Sequence, residues 1–139
     1  MERFINHILY GLHLFTRNFD PVVYHNGKYS YNGLMANDVF IFMLMTYLFC
    51  VGYTIIRVFC GHDTKLLFKD KTFFTVFSVI ILLITWLVFY YCFVKDNKQE
   101  KYYWEFASKP DSAHTEWKLL SWGLFFFSFI YVILCANWR

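Results

Sequence analysis

Residues 73–94 read FFTVFSVIILLITWLVFYYCFV, an apolar run without one charged side chain. As a helix it would reach roughly 33 Å, enough to cross about 30 Å of hydrocarbon with slight tilt. Two other stretches share its character. Residues 38–59 (DVFIFMLMTYLFCVGYTIIRVF) are charged only at Asp38 and Arg57, near their ends. Residues 117–136 (WKLLSWGLFFFSFIYVILCA) are charged only at Lys118. A chain of 139 residues is too short to enclose three such helices in a water-soluble core.

The composition agrees. The chain is 58% hydrophobic and only 17% charged, below the roughly 25% usual for soluble domains. Six Gly and two Pro exclude collagen-like or low-complexity chains, and a net charge of +3 excludes a strongly basic nucleic-acid binder. The expected fold is an all-α membrane protein. Three transmembrane helices (38–59, 73–94, 117–136) make up a domain over residues 38–139. An amphipathic surface helix (1–17) and a turn-rich, hairpin-like loop (18–37) precede it.

The helix ends carry physical markers. Asn37 and Asp38 can cap the first span, Thr72 the second, and Asp111 or Ser112 the third, because their side-chain oxygens accept orphan N–H groups. Trp117, Trp122, Tyr90, Tyr91 and Trp138 sit where amphipathic rings favour the membrane interface. Ahead of the spans, Phe4, Ile5, Ile8, Leu9, Leu12 and Phe15 repeat at helical spacing. Arg3, Asn6, His7, Tyr10, His13 and Arg17 fall largely on the other side. This pattern predicts a helix lying on the membrane surface or on a partner. It resembles a mitochondrial presequence in being basic and nearly free of acids, and is expected to remain uncleaved. Asn26-Gly27 and Asn32-Gly33 are tight-turn signals, and residues 22–24 and 28–31 are expected to pair around the first.

The segment 95–116 mixes lysines with acids around an aromatic centre, Tyr102, Tyr103, Trp104 and Phe106. Rings at that density are costly to leave in water, so they are expected to contact a partner subunit or the interface. With three spans, the N-terminus and this segment share one side. The short 60–72 loop, dense in Lys65, Lys69 and Lys71 beside Arg57, lies on the other and leans toward the cytosol or matrix.

Small residues let helix backbones approach in lipid. Ser78, Thr85 and Cys92 recur every seventh position in the second span, and Ser121, Ser128 and Cys135 do so in the third. Such a repeat keeps one seam of a helix pair in register, so the two antiparallel seams are expected to face each other. Thr46, Cys50 and Thr54 make a shorter ridge in the first span, with Gly52 close by.

Ion carriers place charged or titratable groups inside the membrane. No span carries a carboxylate or histidine near its midpoint, and Arg57 is close enough to a helix end to snorkel. All five histidines lie outside the spans, against haem ligation from within them. Cys60, His62 and Asp63 lack a second half with zinc-like spacing. Glu100, Glu105, Asp111 and His114 could in principle build an interfacial hydrolase site, but a solvated loop explains them better. A Cys60–Cys135 disulfide is conceivable in an oxidising compartment.

The expectation is therefore no enzyme, no catalytic residue, no metal and no cofactor other than bound phospholipid such as cardiolipin. Arg57, Lys65, Lys69 and Lys71, with Arg3 and Arg17 as a second set, are the expected head-group ligands. The expected partners are membrane lipids and other membrane subunits, not nucleic acid. Small helical accessory subunits abound in respiratory-chain complexes and ATP synthases. By that association the chain is expected to be a structural subunit in the mitochondrial inner membrane, in a respiratory-chain complex or supercomplex that carries out electron transport. The alternatives are an ATP synthase membrane subunit, a small homo-oligomeric channel or carrier lined by Thr46, Cys50, Thr54, Ser78 and Ser121, and a membrane-embedded lipid enzyme or its non-catalytic partner.

Overall fold

The structure, a computed structural model, describes residues 2–16, 23–25, 28–30, 34–61 and 64–137. Helices dominate: α1 (Glu2–Thr16), α2 (Leu34–Cys60), α3 (Thr64–Lys69), α4 (Lys71–Phe89), α5 (Lys98–Ala107) and α6 (Asp111–Asn137). Strands β1 (Val23–His25) and β2 (Lys28–Ser30) pair antiparallel with Tyr24 opposite Tyr29. This is the expected hairpin, shifted by one residue; both Asn-Gly pairs lie outside the described residues. Helices α2, α4 and α6 are long and apolar enough to cross a membrane, and the chain is an integral membrane protein.

The helix ends differ in detail from the sequence reading. α2 begins at Leu34, so Asn37 and Asp38 lie inside it rather than capping it. Asn37 Oδ1 instead accepts a hydrogen bond from Gln99 Nε2 of α5 at 2.9 Å. Asp70, not Thr72, caps α4. Its carboxylate accepts from the Thr72 and Phe73 amides at 2.8 and 3.4 Å, where negative charge also complements the helix dipole. α6 begins at Asp111, so Asp111 and Ser112 are its first helical residues rather than its caps.

α4 ends in a π-helical turn (Tyr90–Val94) and a 3₁₀ turn (Lys95–Asn97). There Asp96 (φ 61°) and Asn97 (φ 50°) take the left-handed conformation. Among non-glycine residues, Asp and Asn visit this region most readily. The helix stops, and carbonyls in its last turn find partners outside it. Cys92 O accepts from Asn6 Nδ2 at 3.0 Å, and Tyr91 O from Lys98 Nζ at 3.1 Å. The supposed loop then continues as α5.

α2 is the hub. α4 and α6 each pack on it and share no extensive contact with one another, so the expected seam between the second and third spans is not formed. The N-terminal helix is present, but its polar side turns inward. Ile8, Leu9 and Leu12 join Phe40, Met43 and Phe93 in the main core. Asn6, His7, Tyr10 and His13 are buried as well, against α5, α6 and the π turn. Only the ends of α1 remain open, with Phe4 and Phe15 51% and 45% exposed. Periodicity separates ring-bearing polar residues from aliphatic ones, but it does not send the former to water. Here an aromatic α5 folds over them.

Candidate functional site

The described residues carry two organised regions, one at each end of the spans. At the first end, α1 lies across α6 at Gly11. A methyl group there would overlap Ser121 Oγ and the Trp117 carbonyl oxygen, so only glycine allows this approach. Ser121 Oγ reaches the Ile8 carbonyl at 2.9 Å and its own Trp117 carbonyl at 2.8 Å. The first small residue of the α6 seam therefore docks α1 rather than α4.

His7 is stacked between two rings. Its centroid lies 3.6 Å from that of Phe106 and 4.0 Å from that of Trp117, at interplanar angles of 19° and 14°. The Arg3 carbonyl, 3.0 Å from Nδ1, can only accept, so the network assigns the proton to Nδ1. Nε2 then accepts from Lys109 Nζ at 3.2 Å. Burial and the Lys109 charge hold His7 below the usual histidine range. Tyr10 touches the Tyr103, Phe106 and His114 rings edge-on, and burial beside Tyr103 pushes its hydroxyl up to about 12. Arg3 pairs with Glu105, and Lys98 Nζ donates to Glu2 Oε1 at 2.8 Å. α1 and α5 thus form one clasp.

This placement changes three expectations. Phe106 is 1% exposed and Tyr102 and Tyr103 are half-buried, so these rings serve the clasp; Trp104, edge-on to Tyr103, is 40% exposed. Arg3 serves an ion pair rather than standing clear as a head-group ligand, and Arg17 lies outside the described residues. Of Glu100, Glu105, Asp111 and His114, the structure brings together Asp111 and His114, with Nδ1 3.8 Å from Oδ1. Glu105 faces Arg3, while His114 Nε2 donates to the Phe106 carbonyl at 3.0 Å.

At the other end, Phe68 of α3 lies 5.2–6.0 Å, ring to ring, from Phe49, Tyr53, Phe73 and Phe77. This cluster fixes α3 against α2 and α4. Lys69 and Lys71 are exposed at the junction, and Arg57 Nη1 donates to Tyr53 OH at 3.2 Å. The Lys65 side chain, His62, Asp63, Trp138 and Arg139 lie outside the described part of the chain. Among the described residues no group of three or more His, Cys, Asp or Glu is placed to hold a metal ion.

The small residues do not share one seam: Ser121 meets α1 and Cys135 meets α2. Ser121, Ser128 and Cys135 are all buried. Cys135 Sγ lies 3.9 Å from the Cys50 carbonyl oxygen and 3.8 Å from Thr54 Oγ1. Its neighbour is thus Cys50, not the exposed Cys60, and all four cysteines are free. Thr46 and Thr54 return their hydroxyls to Phe42 and Cys50 carbonyls one turn back, at 2.8 Å each. On α4, Thr85 and Cys92 are buried and Ser78 half-buried. Gly52 lets α4 approach, since a Cβ there would meet Phe77 Cζ at 2.7 Å.

Sequence reasoning passed over Asn6, Gly11, Gln99 and Lys109 as contact-makers. Gly11 carried a readable signal, because a lone glycine inside a strong amphipathic pattern costs helix stability unless another backbone comes close. Comparison with known proteins finds no family model, no curated protein and no solved structure that matches this chain.

Proposed function

We propose that the protein is a non-catalytic structural subunit of a larger membrane assembly, seated among the spans of other subunits. The observation that carries this reading is the unmatched apolar surface of its own spans. Only 11% of the most apolar α4 window and 17% of the corresponding α2 and α6 windows are buried within the chain. α4 and α6 pack on α2 without closing on each other and present Phe74, Leu83, Trp86, Phe126, Phe129 and Ile133 outward. Lipid satisfies such faces energetically as well as protein does, so the experiment below decides the point.

The mitochondrial inner membrane and a respiratory-chain complex are the proposed setting, on the association of small helical subunits with such complexes. The clasp would face extramembrane parts of neighbours through Trp104, Phe4 and Phe15, and the basic end would hold anionic lipid such as cardiolipin. An ATP synthase is the alternative parent. Nothing in the geometry favours a homo-oligomeric pore, since Cys50 and Ser121 are buried in contacts within the chain.

The test is migration of the endogenous protein on native gels after digitonin extraction, with mass spectrometry of each band. Co-migration in one large complex with proteins bearing haem or flavin supports the proposal and names the parent. Migration as a small homo-oligomer overturns it.

A further inference from the structure

Two cavities, of about 280 and 200 Å³, lie along α2. Phe42, Thr46 and Phe49 of α2, Ser78 of α4 and Val132 of α6 border the first. Phe49, Cys50, Tyr53, Val132 and Cys135 border the second. Phe49 and Val132 belong to both, so the two join into one groove running from Phe42 to Tyr53. That stretch of helix is about 16 Å long, roughly half the hydrocarbon thickness and so the depth of one leaflet. The walls are almost wholly apolar. The groove exists because α4 and α6 both lean on α2 without closing on each other.

Its ends differ in charge. Phe42 is two positions beyond the core residue Phe40, and among the described residues no cation borders the groove there. At the opposite end Tyr53 borders the groove, and its hydroxyl accepts from Arg57 Nη1 at 3.2 Å. Phe68 packs on Tyr53 and Phe73, which places α3 and the exposed Lys69 and Lys71 at this same end of the bundle. An apolar slot one leaflet deep, with cations at one mouth, has the shape and polarity of a phospholipid with an anionic head group.

We propose that this groove binds an acyl chain of an anionic phospholipid, whose phosphate is held at the Arg57 end. The proposal deepens the head-group reading of the basic cluster given above and rests on it. A cation near a membrane surface favours anionic over zwitterionic lipid by roughly fivefold. The groove adds a fixed place for the chain beneath it. A transmembrane helix of another subunit is the competing occupant, and the charged mouth argues against it.

The test uses the full-length protein in dioleoylphosphatidylcholine bilayers, with phosphatidylglycerol or phosphatidylcholine spin-labelled on the acyl chain. Electron paramagnetic resonance counts the immobilised label. Phosphatidylglycerol is expected to show a saturable immobilised component, preferred at least fivefold over phosphatidylcholine. Val132→Trp, which fills the groove from a half-open position, should remove it, and Ser78→Phe should do the same from the facing wall. Arg57→Gln should level the preference without removing the chain site.

Equal immobilisation of the two lipids in the unmodified protein overturns both the groove and the head-group reading. A preference that Arg57→Gln abolishes but both groove-filling variants leave intact overturns the groove alone. Loss of a cross-linkable dimer in the groove-filling variants, with no change in lipid preference, assigns the groove to a second helix and also overturns the proposal.

Discussion

Asn6 Nδ2 donates to the carbonyl oxygen of Cys92 at 3.0 Å, so a side chain of the first helix completes the end of the fourth. The same nitrogen lies 3.0 Å from Glu2 O, and Asn6 is 3% exposed. The π turn and the left-handed Asp96–Asn97 pair thus depend on a partner far away in sequence. Asn6→Ala leaves a buried carbonyl without its donor and should destabilise the protein by about 1–3 kcal/mol. Proteolysis should then open the chain first at the 95–97 junction. Thermal unfolding in detergent and mapping of the first cleavage site check this. An unchanged melting temperature with unchanged cleavage would show that the turn closes without Asn6.

The crossing of α1 over α6 leaves no room at Gly11. Gly11→Ala places a methyl against Ser121 Oγ and the Trp117 carbonyl, and overpacking of this kind costs about 1–3 kcal/mol. Ser121→Ala alone removes one hydrogen bond, worth about 0.5–1.5 kcal/mol. The double variant separates the two obstacles. Removing the hydroxyl leaves the Trp117 backbone in place, so the double variant should recover only part of the Gly11→Ala loss. Full recovery would mean that the helix backbones are further apart than this geometry requires.

The spans were legible because a membrane asks a simple question of a sequence. Residues 73–94 answer it by length and absence of charge, and the three spans lie where those rules put them. Ser128 and Cys135 were also legible as buried small residues, though not what they face. The seven-residue repeat marks a contact seam but does not name its partner: Ser121 met α1 and Cys135 met α2. The clasp was hardest to see. His7 and Phe106 lie 99 positions apart, and their stacking follows from where α5 lands after a turn built from π-helical and left-handed residues. No local pattern in 95–116 separates an aromatic helix that covers its own N-terminus from one that waits for a partner.

The cysteines sort by depth. Cys60 is exposed, whereas Cys50, Cys92 and Cys135 are buried. A membrane-impermeant maleimide applied to the folded protein in detergent should label Cys60 fast and the other three only after denaturation. Cys60→Ser should abolish the fast phase. Fast labelling that survives Cys60→Ser would show that the packing opens often enough to expose Cys50, Cys92 or Cys135. Oxidation should likewise fail to link Cys60 to Cys135, since the latter lies against the Cys50 backbone.

Acid should loosen the clasp through His7. In the fold, Nδ1–H is committed to the Arg3 carbonyl and Nε2 faces the Lys109 ammonium at 3.2 Å. A second proton would bring two cations together in a buried stack, and the nearby Glu105 carboxylate offsets this only in part. The folded protein therefore holds His7 neutral to lower pH than the unfolded chain, whose histidine titrates near 6.5. Below that value the unfolded state binds more protons, so the contribution of His7 is complete above pH 6.5 and is lost as pH falls through the folded pKa. Glu2, whose carboxyl Lys98 holds below its usual range, acts in the same direction but only beneath the ordinary carboxylate value of 4.5. The two windows are separate. Melting temperatures measured from about pH 8 to about pH 5 should fall on the acid side for the unmodified protein and stay level for His7→Phe, which keeps the stack without the titration. Lys109→Met should make the fall shallower by removing the opposing charge. A fall as steep in His7→Phe as in the unmodified protein would place the acid-sensitive group elsewhere.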